Sequence, residues 1–255
     1  MNDIVESIVR DIENVLPFDP RENAIDGLAH AYDIQKRVTA VLLRRQPGRH
    51  IAGYKIAFNR PASLDYYGLS EPCYAPLFSD QLHARQASFR FVDFRDPVIE
   101  PEIAIRLSAT LAGHEDASGV EAAIGALLPA IEIMDVRGAF SRDPSAAAAI
   151  AQRIHSEGAV IGVGEGLPTL DIAAVVARLQ VDGETQGEAT GAAPQTPTEA
   201  LRWLSRRLAA DGWPLEAGMI VLTGAHLPGF ALTKPCAVTV EIAPLGTVSL
   251  RLEGS

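Results

Sequence analysis

The chain has 255 residues, with 32 acidic side chains against 22 basic ones and a formal net charge of -10, a balance that argues against a nucleic-acid partner or an anionic membrane surface. A 47% hydrophobic and 21% charged composition excludes a disordered chain, and its length suffices for one large core. Two cysteines, Cys73 and Cys236, exclude a multi-bridge framework and point to a reducing, cytoplasmic compartment. The acidic, amphipathic start "MNDIVESIVRDIENVL" does not read as a signal peptide, and no run of about 18 apolar residues predicts a membrane span.

Ile4, Val5, Ile8, Val9 and Ile12 recur at helical spacing until Pro17 and Pro20 interrupt them. A second helix is predicted from about Asp26 to Arg45, with Leu28, Ala31, Tyr32, Val38, Val41 and Leu42 as its apolar stripe. After "QPGR" the period shifts to two: "HIAGYKIAF", the alternating "ASFRFVDF" and "VIEPEIAIRL" read as strands. Helices are predicted at Glu115 to Leu128 and Pro144 to His155, each leading into a strand-like run, "PAIEIMDV" and "AVIGVG". "VARLQVDGETQGEA" reads as a hairpin turning at Asp182-Gly183. Only "ETQGEATGAAPQTP" looks loose. "TPTEALRWLSRRLAA" opens a helix with a capping box at Thr196 and Glu199 and Pro197 in the first helical position. "MIVLTGA" and "AVTVEIAPLGTVSLRLEG" close the chain as strands. "GVGEG" at Gly162 to Gly166 lacks dinucleotide-fingerprint spacing and reads as a loop.

Within "VIEPEIAIRL", Ile99, Pro101, Ile103, Ile105 and Leu107 share one face of the strand, and Glu100, Glu102, Ala104 and Arg106 share the other. The two carboxylates then lie roughly 6.5 to 7 Å apart, a spacing that suits one hard divalent cation between them. A solvated strand face is the alternative. Glu132 is a second acid set among apolar neighbours in a strand, where an unpaired charge is costly unless a cation compensates it.

"GYKIAF", "EPEIAIRL", "PAIEIMDVR" and "AGMIVLTGA", together with "AYDIQ" at Ala31 to Gln35 and the closing "LGTVSLRL", form an ordered set. It resembles the 2-hydroxypentadienoate hydratase and 4-oxalocrotonate decarboxylase branch of the fumarylacetoacetate hydrolase superfamily. The resemblance implies an α+β fold, a mixed β-sheet roll, with residues 1–48 as a helical region packed on a catalytic domain of residues 49–255. It also implies a homo-oligomer, association with a related pathway enzyme, and one Mg²⁺ or Mn²⁺ ion on Glu100, Glu102 and Glu132. The implied substrate is a small anionic 2-oxo or 2-hydroxydienoate acid. Lys55 matches the family's active-site lysine; Leu77, Ser156, Thr223 and Gly224 match substrate-side positions. Arg60 is read as a loop arginine that is able to add charge for a carboxylate.

The sequence departs from the family where an acid/base aspartate is expected, because Cys73 in "PCYA" stands there. Asp80 in "LFSD" is a nearby substitute, so Cys73 and Asp80 join Lys55 as catalytic candidates. The family's "ADNASSG" is altered to "QRIHSEG", which brings in Arg153, Ile154 and His155. The bland reading of His155 is a histidine bonded to carbonyls at a helix end; the functional one is a new acid/base. Three activities fit: a hydratase of a 2-hydroxy-2,4-dienoate; a decarboxylase, tautomerase or carbon-carbon lyase of a related 2-oxo acid; and a silent subunit supporting a related enzyme.

Overall fold

The computed structural model describes residues 2–163 and 170–254, so Gly164, Glu165 and Gly166 of "GVGEG" lie outside the described residues. The apolar spacing at the start gives α1 (Asn2–Glu13), whose Val5, Ile8 and Val9 are buried. The next helix, α2 (Gly27–Arg45), buries Ala31, Tyr32, Ile34, Val38, Val41 and Leu42 in the same core. Leu28 departs from the expected stripe: it sits in the first turn and is exposed. Gln35, from the middle of α2, donates to Tyr74 O and Ile150 O and so ties the helix to the sheet.

The remaining elements follow in order. They are β1 (Ile51–Ala57), α3 (Pro61–Tyr67), β2 (Cys73–Phe78), β3 (Leu82–Ala84), β4 (Gln86–Arg90), β5 (Pro97–Leu107), α4 (Ala117–Ala122) and β6 (Ile124–Asp135). After them come α5 (Ala146–Ala151), β7 (Ser156–Ile161), β8 (Val176–Val181), β9 (Glu184–Thr190), α6 (Pro197–Asp211), β10 (Ile220–Ala225), β11 (Phe230–Ala231), β12 (Cys236–Ala243) and β13 (Gly246–Glu253). Both halves of the capping box form at Thr196 and Glu199. The β8–β9 hairpin turns at Asp182 and Gly183, both with positive φ, so the first half of the stretch that looks loose is strand.

Three sequence expectations are corrected by the structure. Ile124 to Leu128 belongs to β6 and not to a helix, because β6 pairs with β5 from Ile124↔Leu107 to Asp135↔Pro97, and tertiary pairing overrides the helical preference of an Ala- and Leu-rich run. At its start, a side chain on Gly125 would press on Arg106 O at 3.0 Å. The helix expected at Pro144 to His155 stops at Ala151, because Arg153, Ile154 and His155 all take left-handed backbone, with φ of 58°, 49° and 59°. The "ASFRFVDF" strand likewise ends at Arg90, and Phe91 opens a short 3-10 turn.

The first sheet runs β2-β1-β10-β5-β6-β7-β3, with β11 beside β5; the second runs β4-β13-β12-β8-β9. Both mix parallel and antiparallel neighbours, since β1 pairs parallel with β10 and β4 with β13. One face of the first sheet, through Ile99, Ile103 and Ile105, shares the large core with Val238, Val240 and Leu250 of the second sheet and with the helices. Its other face forms a separate small cluster, drawn from β2, β5, β6, β7 and β10: Leu77, Ala104, Leu128, Ala130, Ala159 and Leu222. Strands far apart in the sheet order, β2 and β7, approach each other. The first sheet therefore curls into a roll, and its concave side is filled by alanine, leucine and isoleucine, with no aromatic ring among the described residues.

Arg153 clasps the roll. Its guanidinium donates to Pro76 O and Gln81 Oε1 and lies 3.9 Å over the Phe78 ring. Burial lowers its pKa to about 10, which leaves it charged at neutral pH. Gly158, with a φ of 114°, fits beside it because a side chain there would meet Gln81 O at 2.1 Å.

Candidate active site

The alternation of β5 carries Glu100 and Glu102 onto the concave side, and register sets Glu100 directly opposite Glu132 of β6. Carboxylate oxygens of the three lie within 4.8 Å of one another. Glu102 and Glu132 are buried and Glu100 is partly so. Burial first, then the neighbouring Glu132, pushes the Glu100 pKa up to about 7. Glu102 is raised well above its ordinary value by the same causes, with Glu100 adding to them. Three crowded carboxylates in little water resist ionisation together unless a cation joins them.

Lys55 comes from β1, three strands away in the sheet order from β6, yet its Nζ lies 2.5 Å from Glu132 Oε1. Curling of the sheet makes that contact. The lysine is 1% exposed, so it does not snorkel to solvent. Between the two strands, β10 shifts register after Leu222, and there the Gly224 N–H donates to Glu102 Oε2 at 2.8 Å. Gly224 has a φ of 108°, and a side chain on it would meet the Asn59 amide at 2.6 Å; only glycine allows this approach. Glu102 Oε1 is buried with no hydrogen-bond partner among the described residues. The donor set is all hard oxygen, which fits a divalent ion such as Mg²⁺.

A cavity of about 370 Å³ opens over Lys55, Glu100 and Glu132. Lys55, Glu100, Glu132, Asn59, Arg60, Ser63 and His155 supply its polar lining, and Phe58, Tyr67, Met134, Phe140, Ile154 and Leu227 much of its apolar wall. Arg60, expected as a loop arginine, stands in the position just before α3, is partly buried and donates to Ala225 O rather than to the helix. Its charge favours the ionised form of Glu100.

The other sequence candidates fall in different surroundings. Cys73 is 2% exposed in the large core, does not line the cavity, and burial raises its thiol to about 11. Asp80 forms a bidentate ion pair with Arg49 and accepts from Gln46, also away from the cavity lining. Leu77 packs inside the roll. Thr223 Oγ1 donates to Ile103 O at 2.9 Å, while Thr223 O accepts from Asn59 Nδ2. Ser156 Oγ, at the start of β7, is buried without a hydrogen-bond partner among the described residues.

His155 overturns the helix-end reading. It lies beyond α5 in the left-handed segment, packs edge-on against Phe18 at 5.0 Å, and its Nδ1 has no partner among the described residues. Burial lowers its pKa to about 3, so the imidazole is neutral. Asn59 and the apolar wall had no sequence signal beyond their position after Lys55 and Glu132. His226 was missed too: it is buried beside the β10 bulge and neither ring nitrogen is partnered among the described residues.

A curled mixed sheet with a carboxylate triad and a lysine on its concave side defines a fumarylacetoacetate hydrolase-like fold with a candidate metal centre. No family model matches the chain. A 4-oxalocrotonate decarboxylase from a Pseudomonas species is 30% identical over 225 residues, 88% of this chain and 86% of the relative. A 2-keto-4-pentenoate hydratase from Paraburkholderia phymatum is 30% identical over 209 residues, 81% of this chain and 79% of the relative. Among solved structures, 4-oxalocrotonate decarboxylase from Pseudomonas putida G7, complexed with magnesium and adipate, superposes with a TM-score of 0.86 at 23% identity, covering 99% of this chain and 98% of that one. The chain belongs to the 2-keto-4-pentenoate hydratase and 4-oxalocrotonate decarboxylase family, a family of lyases.

Proposed function

We propose that this chain is a divalent-metal-dependent hydratase that adds water to a 2-hydroxy-2,4-dienoate to give a 4-hydroxy-2-oxo acid. The observation that carries the reading is the convergence of Glu100, Glu102 and Glu132 beside buried Lys55, with Glu100, Glu132 and Lys55 lining one cavity. An ion held by the three glutamates, Mg²⁺ or Mn²⁺, would act as a Lewis acid on the 1-carboxylate and 2-oxygen of the substrate.

The chain's own residues have separate tasks. Lys55 Nζ exchanges a proton with the dienoate or holds its developing negative oxygen, within a site screened from water. The Gly224 N–H fixes one oxygen of Glu102 and leaves the other free for a ligand. Arg60 supplies positive charge near the substrate carboxylate. Ser156 and Thr223 do not line the cavity; Ser156 keeps an unspent hydroxyl, and the Thr223 hydroxyl proton goes to Ile103 O, so neither is assigned a step. The apolar wall keeps bulk water from the reacting carbons. In this reading the active form is a cytoplasmic homo-oligomer, as the family resemblance implies, and light scattering of the purified chain tests its assembly.

Decarboxylation of a vinylogous 2-oxo acid such as 4-oxalocrotonate is the second reading. It is favoured by Cys73 and Asp80 standing off the cavity, because loss of carbon dioxide makes less demand on a general base than water activation does. The experiment is an ultraviolet progress curve with freshly generated 2-hydroxypenta-2,4-dienoate and, separately, 4-oxalocrotonate, each with Mg²⁺, Mn²⁺ or chelator and products weighed by mass spectrometry. Gain of water, abolished by chelator, is the expected result; loss of carbon dioxide selects the decarboxylase. Turnover that chelator leaves intact would overturn both.

A further inference from the structure

We infer that the cavity selects acids whose distal end is uncharged and apolar over dicarboxylates of the same length. This substrate class rests on the function proposed above, since it takes the 2-oxo acid head to sit at the carboxylate cluster.

The inference comes from how charge is distributed along the cavity. Among the described residues, its two lining cations, Lys55 and Arg60, are both at the acidic end and both engaged: Lys55 with Glu132, and Arg60 with Ala225 O beside Glu100. The rest of the wall carries no charge: Asn59, Ser63, the Tyr67 hydroxyl and His155 are its neutral polar groups, and the remainder is carbon. Met134 stands two residues past Glu132 on β6, on the same face, so the apolar surface begins where the acids end. Phe58 and Tyr67 pack ring to ring at 4.6 Å, Ile154 is buried, and Phe140, 65% exposed, marks the rim. A substrate anchored at the buried acids therefore runs its tail along this wall toward Phe140.

The left-handed segment sharpens the contrast. Of its three residues, Ile154 and His155 line the cavity, while the guanidinium of Arg153 is spent on Pro76 O, Gln81 Oε1 and the Phe78 ring. The one cation that the segment carries is thus withdrawn from the tail. His155 offers an unpartnered Nδ1, and its neutral ring can exchange a hydrogen bond but supplies no counter-charge. A distal carboxylate would lose water against this wall without a counter-charge, whereas a methyl or a larger apolar group gains by burial.

The test compares 2-oxohexanoate with 2-oxoadipate, which share a head and a chain length and differ only at the far end. Titration calorimetry on the full chain with Mg²⁺ should show 2-oxohexanoate binding at least tenfold more tightly. Equal or tighter binding of 2-oxoadipate would overturn the inference. Repeating the pair with chelator separates the two readings: a preference that persists without any dependence on metal keeps the apolar tail site and removes the metal-held head. If neither acid binds with metal present, both readings fall. The rim variant Phe140→Arg, at an exposed position that should not disturb folding, is expected to reduce the ratio at least threefold by improving 2-oxoadipate binding. An unmoved ratio would show that the tail does not reach Phe140 and would sink the inference.

Discussion

The concave side of the roll is built on two opposite rules. Its middle, where Leu222 of β10, Ala104 of β5 and Leu128 of β6 stand in one row, is filled by small and medium apolar side chains, and its polar backbone is consumed by strand pairing. Its acidic end holds three carboxylates and a lysine in a space nearly as dry, with Glu102 Oε1 lacking any hydrogen-bond partner among the described residues. The middle stabilises the fold, while the end gives stability up, because burying crowded like charges is costly whatever the single Lys55 contact returns. A site that is destabilising by itself is a site awaiting a ligand.

The sharpest way to break this comparison is Glu132→Gln. It should lower metal-dependent turnover by about a hundred- to a thousandfold, on the scale of removing one strong electrostatic contributor, while circular dichroism stays native; full activity would remove the site assignment. Next comes overpacking of the middle. Ala104→Leu should cost about 1 to 3 kcal/mol in urea unfolding, and a neutral outcome would mean that the roll is looser than its apolar lining indicates.

The acidic end should respond in the opposite sense. Because the folded pKa of Glu100 is raised to about 7, metal-free protein should lose stability as pH rises from its ordinary value near 4.5 through 7, the unfolded chain releasing its proton first. Glu100→Gln should then stabilise the metal-free chain at pH 8 by on the order of 1 to 3 kcal/mol and have little effect at pH 4. Thermal melts at the two pH values decide this, and destabilisation at pH 8 would refute the strain at the acidic end. The smallest effect belongs to Asp80→Asn. Its partly exposed ion pair with Arg49 should be worth less than about 1 kcal/mol, and turnover should stay within twofold. A large loss of turnover would return Asp80 to the catalytic group.

What the sequence discloses and what it hides follow from how local each feature is. The faces of β5 are readable because strand side chains alternate, so the joint position of Glu100 and Glu102 needs only a period of two. The capping box at Thr196 and the Asp182-Gly183 turn are similarly contained within a few residues. β6 is hidden, since "AIGALL" has helical preference by itself and becomes strand only through its pairing with β5. The meeting of Lys55 with Glu132 is hidden more deeply. It depends on curling across the whole first sheet, a property of no segment alone, and only the family resemblance brought the two residues together beforehand. The positive φ angles of Arg153, Ile154 and His155 have no local signal at all, because three bulky side chains in a left-handed run are locally unfavourable and are held by Phe18, Phe78 and Gln81 from elsewhere in the chain.

The curl that assembles the site also bears on aggregation. A sheet normally leaves two outer strands with spare backbone donors and acceptors that can recruit another chain. Here β2, an outer strand of the first sheet, lies near β7, and Arg153 bonds to its backbone at Pro76, so that border is already occupied. On the second sheet the outer strand β9 carries Glu184 and Glu188 with most of its side chains exposed, and these charges discourage edge-to-edge association at a border that the curl does not cover.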